Sequence, residues 1–195
     1  MTRITDLPVP PSPNGKDVVM PADRTEWRSW LESHPDRVEG VWVVFRKEKS
    51  SVEGPSYEDL VEESLCFGWI DSLTKRVDDD RVIQWYSPRR PGGVWARSNK
   101  ERVERLVARG SMTGRGQAVI DAAKADGSWT RYDDVDALVI APDVERALTV
   151  EARAAFEALS DSAKKQHLWS VYSAKRPETR AARIEAMIGQ LTAPP

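Results

Sequence analysis

Apolar residues recur along the chain at two spacings, and the change from one to the other predicts the order of helices and strands. Trp27, Trp30 and Leu31 follow the candidate N-cap Asp23 at helical spacing, which predicts a short amphipathic helix that ends before Pro35. The next run, residues 41–45, is apolar on both alternating faces. It predicts a strand that is covered on both sides.

A second helix and a hairpin follow this strand. Ser56 and Asp59 have the spacing of a capping box, and Gly68 is a natural end for the helix that they begin. Residues 73–77 and 82–86 are strand-like runs on either side of an acidic turn, which is typical of an antiparallel hairpin. The sequence therefore predicts a small antiparallel sheet of about three strands.

The rest of the chain is predicted to be helical. Two helices end at Gly110 and Gly127. After a connector, residues suited to helix N-termini mark four more helices; they are Pro142, Thr149, Ser160 and Pro177. The overall prediction is an α+β fold, a small sheet surrounded by helices and followed by a helical C-terminal subdomain.

Composition shifts suggest where the parts of the chain begin and end. Four prolines fall in residues 1–16, and this stretch is predicted to be a disordered, Pro-rich leader. Residues 17–130 are predicted to form the α+β domain, and residues 131–195 the helical subdomain.

The overall composition is that of an ordinary globular protein and excludes several classes. Hydrophobic residues make up 40% of the 195 and charged residues 31%, with a net charge of −2, so a globally basic nucleic-acid-binding protein is disfavoured. A single cysteine excludes an internal disulfide framework, and two distant histidines do not have the spacing of a metal site. We expect no metal and no cofactor.

The sequence also bears on location. No apolar run has the length that a signal peptide or a membrane span needs, so we expect a cytoplasmic protein without membrane insertion. Nothing in the sequence indicates an oligomeric state.

The most informative local feature is a basic segment with tryptophans beside it. Residues 81–115 hold nine basic side chains and two acidic ones. Guanidinium and indole groups together bind flat or anionic ligands by hydrogen bonds, stacking and cation–π contacts. The residues predicted to line such a pocket are Trp69, Asp71, Trp85, Arg89, Arg90, Trp95 and Asn99. In the alternative, the arginines form salt bridges and the tryptophans fill the core.

Two residues are candidates for catalysis. Cys66 is the only thiol, but it lies near acidic residues in the last turn of its helix, which disfavours the thiolate and favours a packed, unreactive cysteine. Asp71 could act as a general acid or base, with the nearby arginines stabilising an oxyanion. A third hypothesis is a protein-interaction module that uses the basic helix at residues 176–183.

Several motifs, taken together and in this order, resemble one known family. They are EWRSWLESH, VWVVFRKE, SYEDLVEESLCFGWIDS, YSPRRPGGVWARSNKERVERL, GSMTGRGQ, AKADGSW and SAKRPETRAARIEAM. Over about residues 23–190 the chain resembles the YdeI or OmpD-associated family, labelled bacteriocin-protection proteins.

The resemblance implies a role in tolerance of stress or antimicrobial peptides, but no reaction and no catalytic residues. One departure is Gly92-Gly93-Val94, where relatives tend to have a polar lysine or serine before the tryptophan. The family resemblance and the basic segment together predict a cytosolic tolerance protein. Its Trp/Arg-lined pocket is predicted to bind an anionic or aromatic small ligand or a peptide group.

Overall fold

The computed structural model describes residues 2–193. Residues 1, 194 and 195, at the ends of the predicted leader and of the predicted C-terminal subdomain, lie outside the described residues. The chain divides into two compact units: Met1–Gly93 with Ser98–Trp129, and Val94–Arg97 with Thr130–Pro195. The predicted α+β class with a helical C-terminal region is confirmed.

A four-stranded sheet organises the first unit, in the order β1-β2-β4-β3. Its strands are β1 (Val18–Val19), β2 (Val41–Arg46), β3 (Trp69–Arg76) and β4 (Arg81–Pro88). The β1 and β2 strands run parallel, and the other pairings are antiparallel. The prediction of about three strands missed β1, because two residues are too few to show a period of two and only their pairing with Trp42 and Val43 makes them a strand.

Three of the four helices of the first unit begin directly after a residue whose side chain caps them. The four helices are α1 (Arg24–Ser33), α2 (Tyr57–Cys66), α3 (Arg97–Ala108), whose first residue belongs to the second unit, and α4 (Gly114–Ala125). Asp23 accepts a hydrogen bond from the backbone of Glu26 at 2.9 Å, and Ser56 and Asp59 form the predicted capping box.

The α1 and α2 helices pack together on one face of the sheet. The ring of Trp27 meets the ring of Tyr86 edge-on, with centroids 5.7 Å apart. The Trp27 indole N–H donates to the carbonyl oxygen of Leu60 and to the hydroxyl of Ser64. A buried indole with its polar atom satisfied fixes α1 against α2.

The N-terminal segment covers the opposite face. We call residues 3–20 the N-terminal strap, which includes a short 3-10 helix at Ile4–Asp6. Ile4 is fully buried and shares a core cluster with Trp42 and Ile83, and Arg81 donates to the carbonyl oxygen of Pro8 at 2.8 Å. Where the sequence predicts a disordered leader, the structure has packed chain, because its few apolar side chains fit a sheet face that is otherwise uncovered.

The second unit has its own apolar core. Its helices are α5 (Asp133–Asp136), α6 (Pro142–Ala147), α7 (Val150–Ala158), α8 (Asp161–Tyr172) and α9 (Pro177–Thr192). The buried side chains between them are Val135, Ala141, Val144, Phe156, Leu168, Val171, Ile184 and Met187. Among residues 2–193, none of the helices has the length and apolar composition that crossing a membrane requires.

Candidate functional site

An open groove of about 490 Å³ lies in the first unit where the chain leaves β4. We call it the Arg89–Arg90 groove. Its lining residues are Lys16, Arg37, Val38, Glu39, Gly40, Trp85, Ser87, Pro88, Arg89, Arg90 and Pro91. Three of the seven predicted ligand-binding residues, Trp85, Arg89 and Arg90, therefore line one cavity.

Trp85 is the aromatic residue of the groove. Its ring meets that of its cross-strand partner Trp42 edge-on, with centroids 5.3 Å apart. The other edge of the indole lies against Gly40, where a Cβ atom would come within 2.5 Å of Trp85 Cζ2. The half-buried indole makes no N–H hydrogen bond within residues 2–193, so this donor is open to a ligand.

Basic side chains dominate the charges of the groove. Lys16, Arg37, Arg89 and Arg90 face one acidic lining residue, Glu39. Lys16 pairs with Glu39 at 3.1 Å, and Arg37 pairs with Asp17 at 2.6 Å. The exposed Arg90 guanidinium makes no ion pair with the described part of the chain. The groove therefore carries an excess of positive charge that an anion can neutralise.

Arg89 is held more deeply than Arg90. Its backbone N–H donates to the carbonyl oxygen of Gly68 at 2.9 Å, which ties the loop to the end of α2. Burial lowers the pKa of the Arg89 guanidinium to about 10, while the negative charge of Asp71 opposes this effect. The electrostatic attraction to a nearby anion is stronger for a desolvated cation than for a cation exposed to water.

Asp71 belongs to a separate group of polar side chains, which we call the Asp71 network. Its Oδ2 atom accepts hydrogen bonds from the Tyr57 hydroxyl at 3.1 Å and from the Gln84 amide at 2.8 Å. The Tyr86 hydroxyl donates to the side-chain oxygen Oε1 of Gln84 at 3.3 Å. Asp71 pairs in register with Tyr86 and so shares its face of the sheet, whereas Trp85 projects from the other face. The sheet thus separates Asp71 from Trp85.

Asn99 lies at the edge of the Asp71 network. Its side-chain oxygen accepts from Arg102 at 3.1 Å, and the Arg102 guanidinium lies 5.7 Å from the centroid of the Tyr57 ring. Burial and the negative charge of Asp71 raise the pKa of the Tyr57 hydroxyl to about 12. This tyrosine is protonated near neutral pH and acts as a hydrogen-bond donor to Asp71.

The remaining two predicted residues lie elsewhere. Trp69 is 2% exposed and meets the Trp30 ring edge-on at 5.8 Å. Trp95 is 1% exposed and belongs to the second unit. The structure places Trp69 in the core of the first unit rather than in the wall of the groove.

Cys66 is fully buried at the end of α2. Burial and the neighbouring Glu63 raise the pKa of its thiol to about 11, so the nucleophilic thiolate is scarce near neutral pH. The helix wheel places Cys66 on the charged side of α2, and that side is itself covered: Arg28 donates to Glu63 at 2.7 Å. Within the described residues, no group of three or more His, Cys, Asp or Glu side chains could hold a metal ion.

Several arginines of the basic segment are engaged in ion pairs. Arg102 and Arg105 bind Glu58, at 2.7 and 3.0 Å. Arg81 binds Asp78 at 2.8 Å. For these three residues the salt-bridge alternative of the sequence analysis describes the structure.

Sequence reasoning missed two basic residues of the groove, Lys16 and Arg37. They lie far from residues 85–91 along the chain. The pairing of β2 with β4 brings Arg37 to the groove, and the pairing of β1 with β2 brings Lys16. For Lys16 the only signal was the Val18–Val19 pair just after it, which is too short to identify a strand.

Comparisons with known families match both parts of the chain. Residues 19–119, just over half of the chain, match a family described as a domain of unknown function, DUF8412. Residues 137–193 match the family described as "Bacteriocin-protection, YdeI or OmpD-Associated".

The predicted resemblance is therefore confirmed over part of the chain. The C-terminal motif SAKRPETRAARIEAM falls within the YdeI or OmpD-associated match, whereas most of the earlier motifs fall within the other family. Searches of curated proteins and of solved structures find no match. The chain belongs to the DUF8412 family, and its residues 137–193 are similar to the family described as bacteriocin-protection, YdeI or OmpD-associated.

Proposed function

We propose that the first unit is a binding module for a small anionic ligand that carries an aromatic ring, and that the ligand binds in the Arg89–Arg90 groove. The observation that carries the proposal is that one groove with excess positive charge is lined by both the exposed Arg90 and Trp85, whose indole N–H is open. A guanidinium binds a carboxylate or phosphate through paired hydrogen bonds, and an indole ring offers a surface for stacking.

The groove also suits such a ligand in size and rigidity. About 490 Å³ is within the range of pockets for small molecules. Pro88 and Pro91 flank the two arginines and restrict the loop before a ligand arrives, which lowers the entropy lost on binding.

The test is a fluorescence titration with phenyl phosphate, compared with inorganic phosphate and with the neutral benzyl alcohol. We expect phenyl phosphate to bind more tightly than either, because only phenyl phosphate offers both an anion and a ring. Trp85→Phe should remove most of the fluorescence change, since Trp85 lines the groove and the other tryptophans do not.

A pair of arginine variants makes this test specific. Arg90→Gln should weaken phenyl phosphate binding about tenfold, the typical value of one charge-assisted hydrogen bond. Arg115→Gln changes an exposed arginine of α4 outside the groove and should leave binding unchanged. Equal losses in both variants, or none in Arg90→Gln, would exclude the groove as the site.

The proposal extends to a cytoplasmic role in tolerance of stress or antimicrobial peptides. Its support is the match of residues 137–193 to a family described by bacteriocin protection, together with the single, buried cysteine, which suits a reducing compartment. Bacteria that express the chain should survive a bacteriocin better than bacteria that express Arg89→Ala/Arg90→Ala. Equal survival would show that the groove has no part in tolerance.

The two alternative functions receive less support. Asp71 Oδ2 already accepts two hydrogen bonds, which hold the carboxylate in place. In the basic helix, Arg180 binds Asp143, and Arg183 donates to the carbonyl oxygen of Ser170. Two of the basic side chains of the proposed interaction module thus stabilise the second unit itself.

A further inference from the structure

A second, smaller pocket lies within the second unit, between α8 and α9. Its volume is about 170 Å³. The residues that line it are Gln166, His167, Ser170, Arg183, Ala186, Met187 and Gln190. They fall at one-turn spacing on the two helices, so the pocket is a site between two facing helix surfaces.

The polar side chains of this pocket can all donate hydrogen bonds, and none of the lining residues is acidic. Arg183 Nη1 donates to the Ser170 carbonyl oxygen at 2.6 Å and to the Ser173 hydroxyl at 2.9 Å. These two hydrogen bonds fix the guanidinium of α9 against the C-terminal end of α8. Its Nε and Nη2 donors have no partner within residues 2–193. The side chains of His167 and Gln190 also make no hydrogen bond there.

We propose that this pocket binds a carboxylate attached to a short aliphatic group. Arg183 supplies the positive charge and a fork of donors, and His167 and Gln190 supply further donors from the two sides. Ala186 and Met187 give the pocket an apolar wall for a few carbon atoms. A volume of about 170 Å³ equals roughly five to six water molecules, which admits an amino-acid-sized group but no large ring.

Such a carboxylate could be a free small acid or the last residue of a peptide chain. The two sources share the carboxylate chemistry, and the probes distinguish them. Propionate represents a free acid. N-acetylalanine represents a chain end with its preceding amide, and N-acetylalanine amide is the same group without the negative charge.

The experiment is an NMR titration of the full chain that follows the histidine ring signals. The chain has two histidines, and His34 serves as an internal control because it lies in the first unit. We expect saturable shifts of the His167 signals with at least one of the two carboxylates, in the millimolar range, and none with the amide. Saturation by propionate alone indicates a free acid, and saturation by N-acetylalanine alone indicates a chain end.

Two variants of α9 provide the decisive comparison. Gln190→Glu keeps the shape of the side chain but adds a negative charge in the pocket, and should weaken binding at least fivefold. Ala181→Glu adds the same charge at an exposed position about 200° around the helix from Arg183 and should have no effect. The proposal is overturned if His167 shows no saturable shift, if His34 shifts equally, or if Gln190→Glu binds as the wild type does.

Discussion

Leu138 has a backbone conformation that residues other than glycine rarely adopt, with φ of 56°. It follows the end of α5 in a Schellman arrangement: its own N–H donates to Val135, and the N–H of Val139 donates to Asp134 at 2.8 Å. Glycine usually occupies this position, but the Leu138 side chain also packs on the core of the second unit. Packing thus compensates for a strained backbone.

Because of this strain, we expect a glycine substitution at Leu138 to be less destabilising than an alanine substitution, the reverse of the usual order in a helix. Leu138→Ala and Leu138→Gly both remove the side chain, but only glycine accepts the positive φ without cost, so the alanine variant should be the less stable by about 1 kcal/mol. Thermal or urea unfolding measures the difference. At the exposed helical position 182, Ala182→Gly should instead destabilise, by about 1 kcal/mol.

Cys66 predicts a dependence of stability on alkaline pH. In the folded protein the pKa of its thiol is about 11, compared with 9.0 for the ordinary group. Between these values the unfolded chain releases this proton while the folded chain keeps it, so the free energy of unfolding falls as pH rises. The contribution of the Cys66 thiol to the free energy of unfolding is fully present below pH 9 and is lost as the pH rises towards 11.

Urea unfolding between pH 8.5 and 10.5 tests this linkage. The decline in stability should be steeper for the wild type than for Cys66→Ala, in which the remaining decline comes from other groups such as Tyr57. Parallel declines would mean that the thiol titrates alike in both states. The native thiol should also react slowly with a thiol reagent at pH 8 and quickly in denaturant.

At the scale of elements, seven of the ten residues of α2 are buried, although four of the ten are acidic. Glu62 and Glu63 are 4% and 3% exposed, and Arg24 and Arg28 from α1 pair with them. An acidic residue that is buried needs such partners, because removing its charge from water is costly. The helix is therefore held by ion pairs on one side and by apolar contacts on the other.

Two glutamates that share Arg28 as a partner provide a matched test of this arrangement. Glu63→Gln breaks a buried pair and should cost about 2 to 4 kcal/mol of unfolding free energy. Glu32→Gln breaks a pair that is 3.7 Å long and largely exposed, and should cost less than about 0.5 kcal/mol. Chemical denaturation gives both values, and similar losses would show that burial does not matter here.

The sequence predicts the elements better than the site, for physical reasons. Capping residues such as Asp23 and Ser56, and the positive-φ glycines Gly68 and Gly110, act on neighbours within one helix turn and can be recognised directly. The groove depends on which strands pair. Lys16 and Trp85 line the same groove only because β1, β2 and β4 pair in the sheet, and no local sequence pattern predicts that pairing.

At the scale of the whole molecule, the N-terminal strap makes residues at the start of the chain part of the core. Ile4→Ala should destabilise the protein by about 2 to 4 kcal/mol, because the fully buried side chain contacts the sheet cluster. Val9→Ala, in the same segment but 58% exposed, should change stability by less than about 0.5 kcal/mol. A disordered leader would make both substitutions neutral in an unfolding experiment.

The contact between the strap and β4 also has a consequence for synthesis on the ribosome. The carbonyl oxygen of Pro8 meets Arg81 across 73 positions of the chain. At about 5 to 20 residues per second, roughly 4 to 15 s pass before the partner of Pro8 has even been made. During that interval Ile4 has no sheet to cover, and the nascent chain is most in need of protection by a chaperone.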